Sequence, residues 1–79
     1  MPRKLTEVEH GKEVTVSRIE RCEPTIRQRL LDMGIVRGVS IRIERAAPLG
    51  DPLEIVVKGY HLAMRKKEAM LISVEDSDT

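Results

Sequence analysis

Few side chains in this sequence offer reactive chemistry, and they stand far apart. Cys22 is the single cysteine, and the histidines are His10 and His61. A Cys–His pair would make a nucleophilic thiolate, but nothing in their spacing favours one. Cys22 reads as a small packing residue just ahead of a helix, and the histidines as exposed residues of a turn and a strand. No C-x-x-C, H-x-x-x-H or D-x-D-x-D-G pattern occurs, so neither a structural zinc site nor a calcium loop is indicated. Asp76 and Asp78 offer a loose grip on a hard cation but are expected to be solvated charges. The glycines form neither G-x-G-x-x-G nor a phosphate loop. No catalytic, metal or cofactor residue is assigned, and a binding or regulatory module is expected rather than an enzyme.

Charge and composition narrow the classes further. Charged residues make up 34% of the 79-residue chain, yet the formal net charge is only +1. Nucleic-acid binders concentrate positive charge to displace counterions from phosphates, so this balance argues against one. Arg27, Arg29, Arg37, Arg42, Arg45, Arg65, Lys66 and Lys67 interleave with Asp32, Glu44, Glu54 and Glu68, as on an ordinary solvated surface. There is one Tyr and no Phe or Trp, so Val, Ile, Leu and Met must form the core. A single domain is expected over residues 1–79, its core from about 12 to 75 and an acidic tail fraying at EDSDT (Glu75 to Thr79). A lone cysteine fits a reducing compartment. MPRKLTEVEHGKEV lacks the apolar region of a signal peptide, and no run approaches the ~18 apolar residues of a membrane span. A cytoplasmic protein without membrane insertion is the expectation.

The periodicity then supplies the scaffold. EVTVSRI (Glu13–Ile19) alternates as a strand after a turn at His10–Gly11. In PTIRQRLLDMG, Thr25 and Gln28 have the spacing of a capping box, Ile26, Leu30 and Met33 share one helical face, and Gly34 is placed to end the helix with Ile35 packing back on Leu30. Val39, Ile41 and Ile43 alternate with polar residues, as do Leu53, Ile55 and Val57, and the Pro-Leu-Gly-Asp-Pro loop joins these two strands. Gly59 turns the chain into a strand over Tyr60 to Met64, with Leu62 and Met64 inward. Arg65 to Ala69 makes one helical turn, and Ile72 and Val74 a last strand. About five short strands and one helix, mainly β, are best closed as a small barrel, because an open sheet exposes its edges.

Three segments, RLLDMGIVRG (Arg29–Gly38), RAAPLGDPLEIVVKGYHLAMRKKEA (Arg45–Ala69) and LISVE (Leu71–Glu75), strongly resemble the FeoA family of small cytoplasmic accessory proteins of bacterial ferrous-iron transport. The Ala-Pro-Leu-Gly-Asp-Pro loop followed by Gly-Tyr-x-Leu-Ala-x-Arg carries most of the resemblance, which extends from about Lys12 to Glu75. Met64 stands where the family often has Leu. The resemblance implies an SH3-like barrel with an inserted helix. It also implies a partner, FeoB, the membrane ferrous-iron permease with a cytoplasmic GTP-binding domain. The family offers no agreed catalytic or metal-binding residues to carry over.

Two alternatives stay open: a stand-alone SH3-like regulatory domain related to iron-dependent repressors, and a direct ferrous-iron-binding chaperone. The first lacks a DNA-reading helix-turn-helix, and the second lacks clustered ligands. Partner contact is expected around the helix C-terminus and the two loops, at Met33, Arg37, Leu49, Asp51, Tyr60 and His61, because loops on a rigid barrel usually carry binding. Leu49 at a loop tip either meets the partner or folds back over the barrel mouth. A homodimer through a barrel edge also remains open.

Overall fold

Where aliphatic and polar residues alternate, a strand buries one face and wets the other. In the computed structural model, which describes residues 3–76, this patterning yields five strands, and a sixth, two residues long, forms at the N-terminal end by pairing with the last. They are β1 (Arg3–Lys4), β2 (Glu13–Ile19), β3 (Ser40–Ala46), β4 (Leu53–Val57), β5 (Tyr60–Met64) and β6 (Ile72–Asp76). A 3-10 turn (Leu5–Glu7) follows β1, helix α1 (Pro24–Asp32) lies between β2 and β3, and helix α2 (Lys66–Ala69) lies between β5 and β6. All pairings are antiparallel, in the order β1-β6-β2-β3-β4-β5.

The inward residues of the strands meet in one cluster. Val14 and Val16, Ile41 and Ile43, Ile55 and Val57, Met64, and Ile72 and Val74 are all buried there. Residues from the inner strands and from margin strand β5 share that cluster, so the sheet wraps around its core as an SH3-like barrel. Leu30 of α1 and Ile35 beyond it close one side. The N-terminal segment also contributes, with Leu5 and Val8 buried. Its two-residue strand is too short to carry a periodic signal.

Helix α1 begins differently from its sequence signal. Glu23 is the N-cap without a side-chain cap, and Pro24 opens the helix, where its fixed φ and missing N–H do no harm. Thr25 therefore lies inside the first turn, and Gln28 donates to Asp32 Oδ1 at 2.9 Å, so the expected capping box does not form. The helix ends as the sequence predicts. Gly34 adopts φ +86°, its N–H reaches Leu31 O at 2.9 Å, and the Ile35 N–H reaches Leu30 O at 2.9 Å. This paired arrangement satisfies the terminal carbonyls and returns Ile35 to the core.

The C-terminal strand also runs further than its acidic sequence suggests. Glu75 and Asp76 pair with Thr15 and Val14, and Asp76 forms ion pairs with Arg3 at 2.8 Å and Lys12 at 3.3 Å. These partners fix residues that the composition alone marks as a frayed tail. Asp78 lies outside the described residues. Glu20 is held similarly, at 2.9 Å from Lys4 Nζ and 3.2 Å from Ser73 Oγ.

Two outcomes follow. A left-handed φ costs a residue with a Cβ about 1–2 kcal/mol. The space at Gly34 is open, because an added Cβ meets only Val57 Cγ1 at 4.0 Å. Gly34→Ala is therefore expected to lower urea-unfolding stability by about that amount, and Gly34→Asn by less. The second outcome concerns acid. The Lys4 hydrogen bond holds the Glu20 carboxyl below its ordinary value, and Lys12 and Arg3 do the same for Asp76. Groups with lowered folded pKa stabilise above their unfolded values, about pH 4, and lose that contribution as pH falls through the folded ones. The urea midpoint should fall through this acid range, and Glu20→Gln with Asp76→Asn should flatten the dependence.

Candidate functional site

The β3–β4 loop is built to display one apolar side chain. The Ala47 N–H bonds Pro52 O at 3.0 Å and the Gly50 N–H bonds Ala47 O at 2.7 Å, with Gly50 at φ +86° and a cis bond between Asp51 and Pro52. This tight closure leaves Leu49 96% exposed at the tip, so it does not fold back over the barrel. Asp51 turns inward along the surface, where its Oδ1 accepts the Lys66 N–H at 2.9 Å. That bond ties the loop to the start of α2.

The remaining expected contacts sit elsewhere. Val57 pairs with Tyr60 across a two-residue turn in which Lys58 and Gly59 both have positive φ, a geometry that matches strand twist. Tyr60 is 72% exposed, and His61, opposite Val56, is exposed beside it. Met33, the C-cap of α1, is half-buried against the core. Gly34 approaches Val57, which places the helix C-terminus near the Tyr60 turn. Arg37 is exposed in the loop that follows.

These residues therefore form two poles. Leu49 and Asp51 follow β3 and precede β4, whereas Tyr60 and His61 follow β4. At about 3.4 Å per residue, the length of β4 separates the poles by roughly 14 Å. A strand reverses which end its neighbours occupy, and spacing along the chain hides that separation.

Among the described residues, no group of three His, Cys, Asp or Glu side chains is arranged to hold a metal. Cys22 is a free, half-buried thiol. Some of the basic residues pair with acids: Arg42 with Glu44, and Arg45 with Glu54. The hydrogen bond from Arg45 to Glu54 raises the guanidinium pKa.

Glu68 departs from the expected solvated surface. It is buried, and its Oε1 accepts the Arg65 N–H at 3.0 Å while its Oε2 meets Arg29 Nε at 2.8 Å. One carboxylate thus caps α2 and joins it to α1. The capping spacing from Arg65 to Glu68 was the available sequence signal, but a basic N-cap residue obscured it.

Known proteins fit this architecture. A family model described as the FeoA domain matches residues 3–76. A Porphyromonas gingivalis protein, a fusion of Fe(2+) transport protein A with the Fe(2+) transporter FeoB, is 33% identical over 72 residues. The match covers 91% of this chain but 8% of that protein, so the chain spans less than a tenth of this relative. The solution structure of a FeoA-like protein from Clostridium acetobutylicum superposes with a TM-score of 0.87 at 44% identity, covering 99% of this chain and 90% of that one. FeoA from Stenotrophomonas maltophilia, described as a prokaryotic SH3 domain protein complexed with zinc, gives 0.79 at 26% identity, covering 92% and 89%. A manganese-dependent transcriptional repressor shares the fold at a TM-score of 0.85 and 20% identity, over 92% of this chain and 35% of that one.

Both acids at α2 are expected to matter for stability. Glu68→Ala removes a cap and a charge-assisted bond and should cost about 2 kcal/mol. Asp51→Ala, losing an exposed cap, should cost about 0.5–1 kcal/mol. Urea unfolding measures both, and equal effects would contradict the different burial of the two carboxylates.

Proposed function

The chain belongs to the FeoA domain family, and on that premise we propose that it is a non-enzymatic accessory module of ferrous-iron uptake that docks on the cytoplasmic part of a FeoB-type transporter. The observation that carries this reading is the Porphyromonas gingivalis relative, in which the matching segment and the transporter are one polypeptide. A covalent link maintains a high effective concentration between two partners. Two domains that act together still meet through a contact surface. Among the described residues, no helix is long and apolar enough to cross a membrane, and the proposed association uses the exposed face of the barrel.

Met33, Arg37, Leu49, Asp51, Tyr60 and His61 are the proposed contacts. Leu49 is the principal one, because an almost fully exposed leucine at a fixed loop tip contributes nothing to the core. Burying such a side chain against a partner removes apolar area worth ~25 cal/mol per Å² from water. The separation of the poles gives the transporter two independent contacts, one at Leu49 and one at Tyr60. A second reading, direct metal binding, has in its favour the zinc complexed with the Stenotrophomonas maltophilia relative.

Titration calorimetry against the transporter's cytoplasmic GTP-binding domain tests the docking surface. Leu49→Asp is expected to raise Kd about tenfold, a loss of ~1.4 kcal/mol, with an unchanged melting temperature. Tyr60→Ala tests the other pole separately. Unchanged affinity in both variants would overturn the assigned contacts, and no binding by the unaltered chain would overturn docking itself.

A further inference from the structure

A groove between β2 and α1 shares only Arg37 with the contacts expected from sequence. Ile19, Leu31 and Val36 line it, and Arg18, Arg27 and Arg37 stand around it. Leu31 and Val36 are each 39% exposed, a small apolar floor left open in a chain that buries most of its large aliphatic residues. Arg27 and Arg37 make no ion pair among the described residues, and Arg18 meets only Glu20, at 3.8 Å. The three guanidiniums thus present nearly all of their hydrogen-bonding capacity to solvent.

Several features hold the groove in shape. The Val16 N–H donates to Val39 O at 2.9 Å and the Gly38 N–H to Val16 O at 2.8 Å, which fixes the loop bearing Val36 and Arg37 against β2. Just beyond, the register of β2 against β6 shifts between Val16 and Arg18. This bulge inserts Ser17, whose Oγ is buried without a hydrogen-bond partner. Bulges re-aim side chains and recur beside functional surfaces, and a buried unpaired hydroxyl is uncommon enough to need a cause.

We propose that this groove binds an acidic segment of a partner protein, which places one aliphatic or aromatic side chain on Leu31 and Val36 and its carboxylates on Arg27 and Arg37. Guanidinium groups match carboxylates bidentately, and the apolar floor gives an anchor residue somewhere dry to sit. A nucleic-acid backbone would satisfy the arginines and leave the floor empty. A flat anionic membrane would meet the rim without filling the groove. The partner need not be the transporter, so the inference stands apart from the docking reading although Arg37 serves both.

The test is selection from a random dodecapeptide library on the immobilised full chain, counter-selected against the Arg27→Glu/Arg37→Glu double variant. Arg27, Arg37 and Leu31 are all exposed to solvent, and an amide NMR spectrum checks that each variant keeps the fold. Enriched peptides should carry Asp or Glu flanking a large apolar residue. Their affinity should fall about tenfold on the double variant or on Leu31→Ser, and should weaken in raised salt. Neutral or basic enriched peptides, affinity indifferent to the charge reversal, or binding to anionic vesicles without any peptide enrichment would each overturn the proposal. Peptides that bind as expected while the transporter's cytoplasmic domain does not would leave this inference standing and remove the docking reading.

Discussion

The near-absence of large aromatic side chains is the constraint on which the rest of this structure depends. With one Tyr and no Phe or Trp, the core has to be assembled from many branched aliphatic residues, each contributing a modest area. That favours short strands giving one face apiece, and Val14, Ile41, Ile55, Met64 and Ile72 come from five of them. The single tyrosine is spent on the surface, at a turn. Even the N-terminal segment is drawn in, because Leu5 and Val8 complete the packing of a small interior.

This economy explains why much of the fold was legible in the sequence. Period-two patterning marks β2 to β6 in a core of this kind, since most of these strands are wet on one side, although Ser73 of β6 is buried together with Ile72 and Val74. The end of α1 was equally clear, because Gly34 alone could take the required backbone and Ile35 had to return to the interior. What escaped prediction depended on contacts distant in sequence. β1 is two residues long and exists through its pairing with β6. Glu75 and Asp76 look like a loose tail until Lys12 and Arg3 are brought beside them. Thr25 had the right spacing for a cap, but Pro24 is the stronger local signal and starts the helix two residues earlier, with Glu23 as the N-cap.

The same distinction governs the surface. Leu49 could be singled out from sequence as an apolar residue in a turn, and its exposure follows from the tight closure of the loop. That it lies at the opposite end of β4 from Tyr60 could not be, because only the antiparallel register shows which loops share an end. The groove beside β2 gathers residues from three separated stretches, around 18, 27–31 and 36–37, none of which forms a local motif. The barrel is thus a frame displaying several separate patches, as suits the proposed docking role.

The central claim, that this chain acts by docking on a transporter's cytoplasmic part, is tested most directly by following amide resonances of the isotope-labelled protein during titration with the GTP-binding domain of a FeoB-type transporter, and separately with ferrous iron. The account expects saturable shifts with the domain, clustered at 33–37, 47–52 or 58–61, and no saturable shifts with iron alone. Shifts confined to the surroundings of His10, Cys22 or His61 with iron, and none with the domain, would contradict it and make this a metal-binding protein.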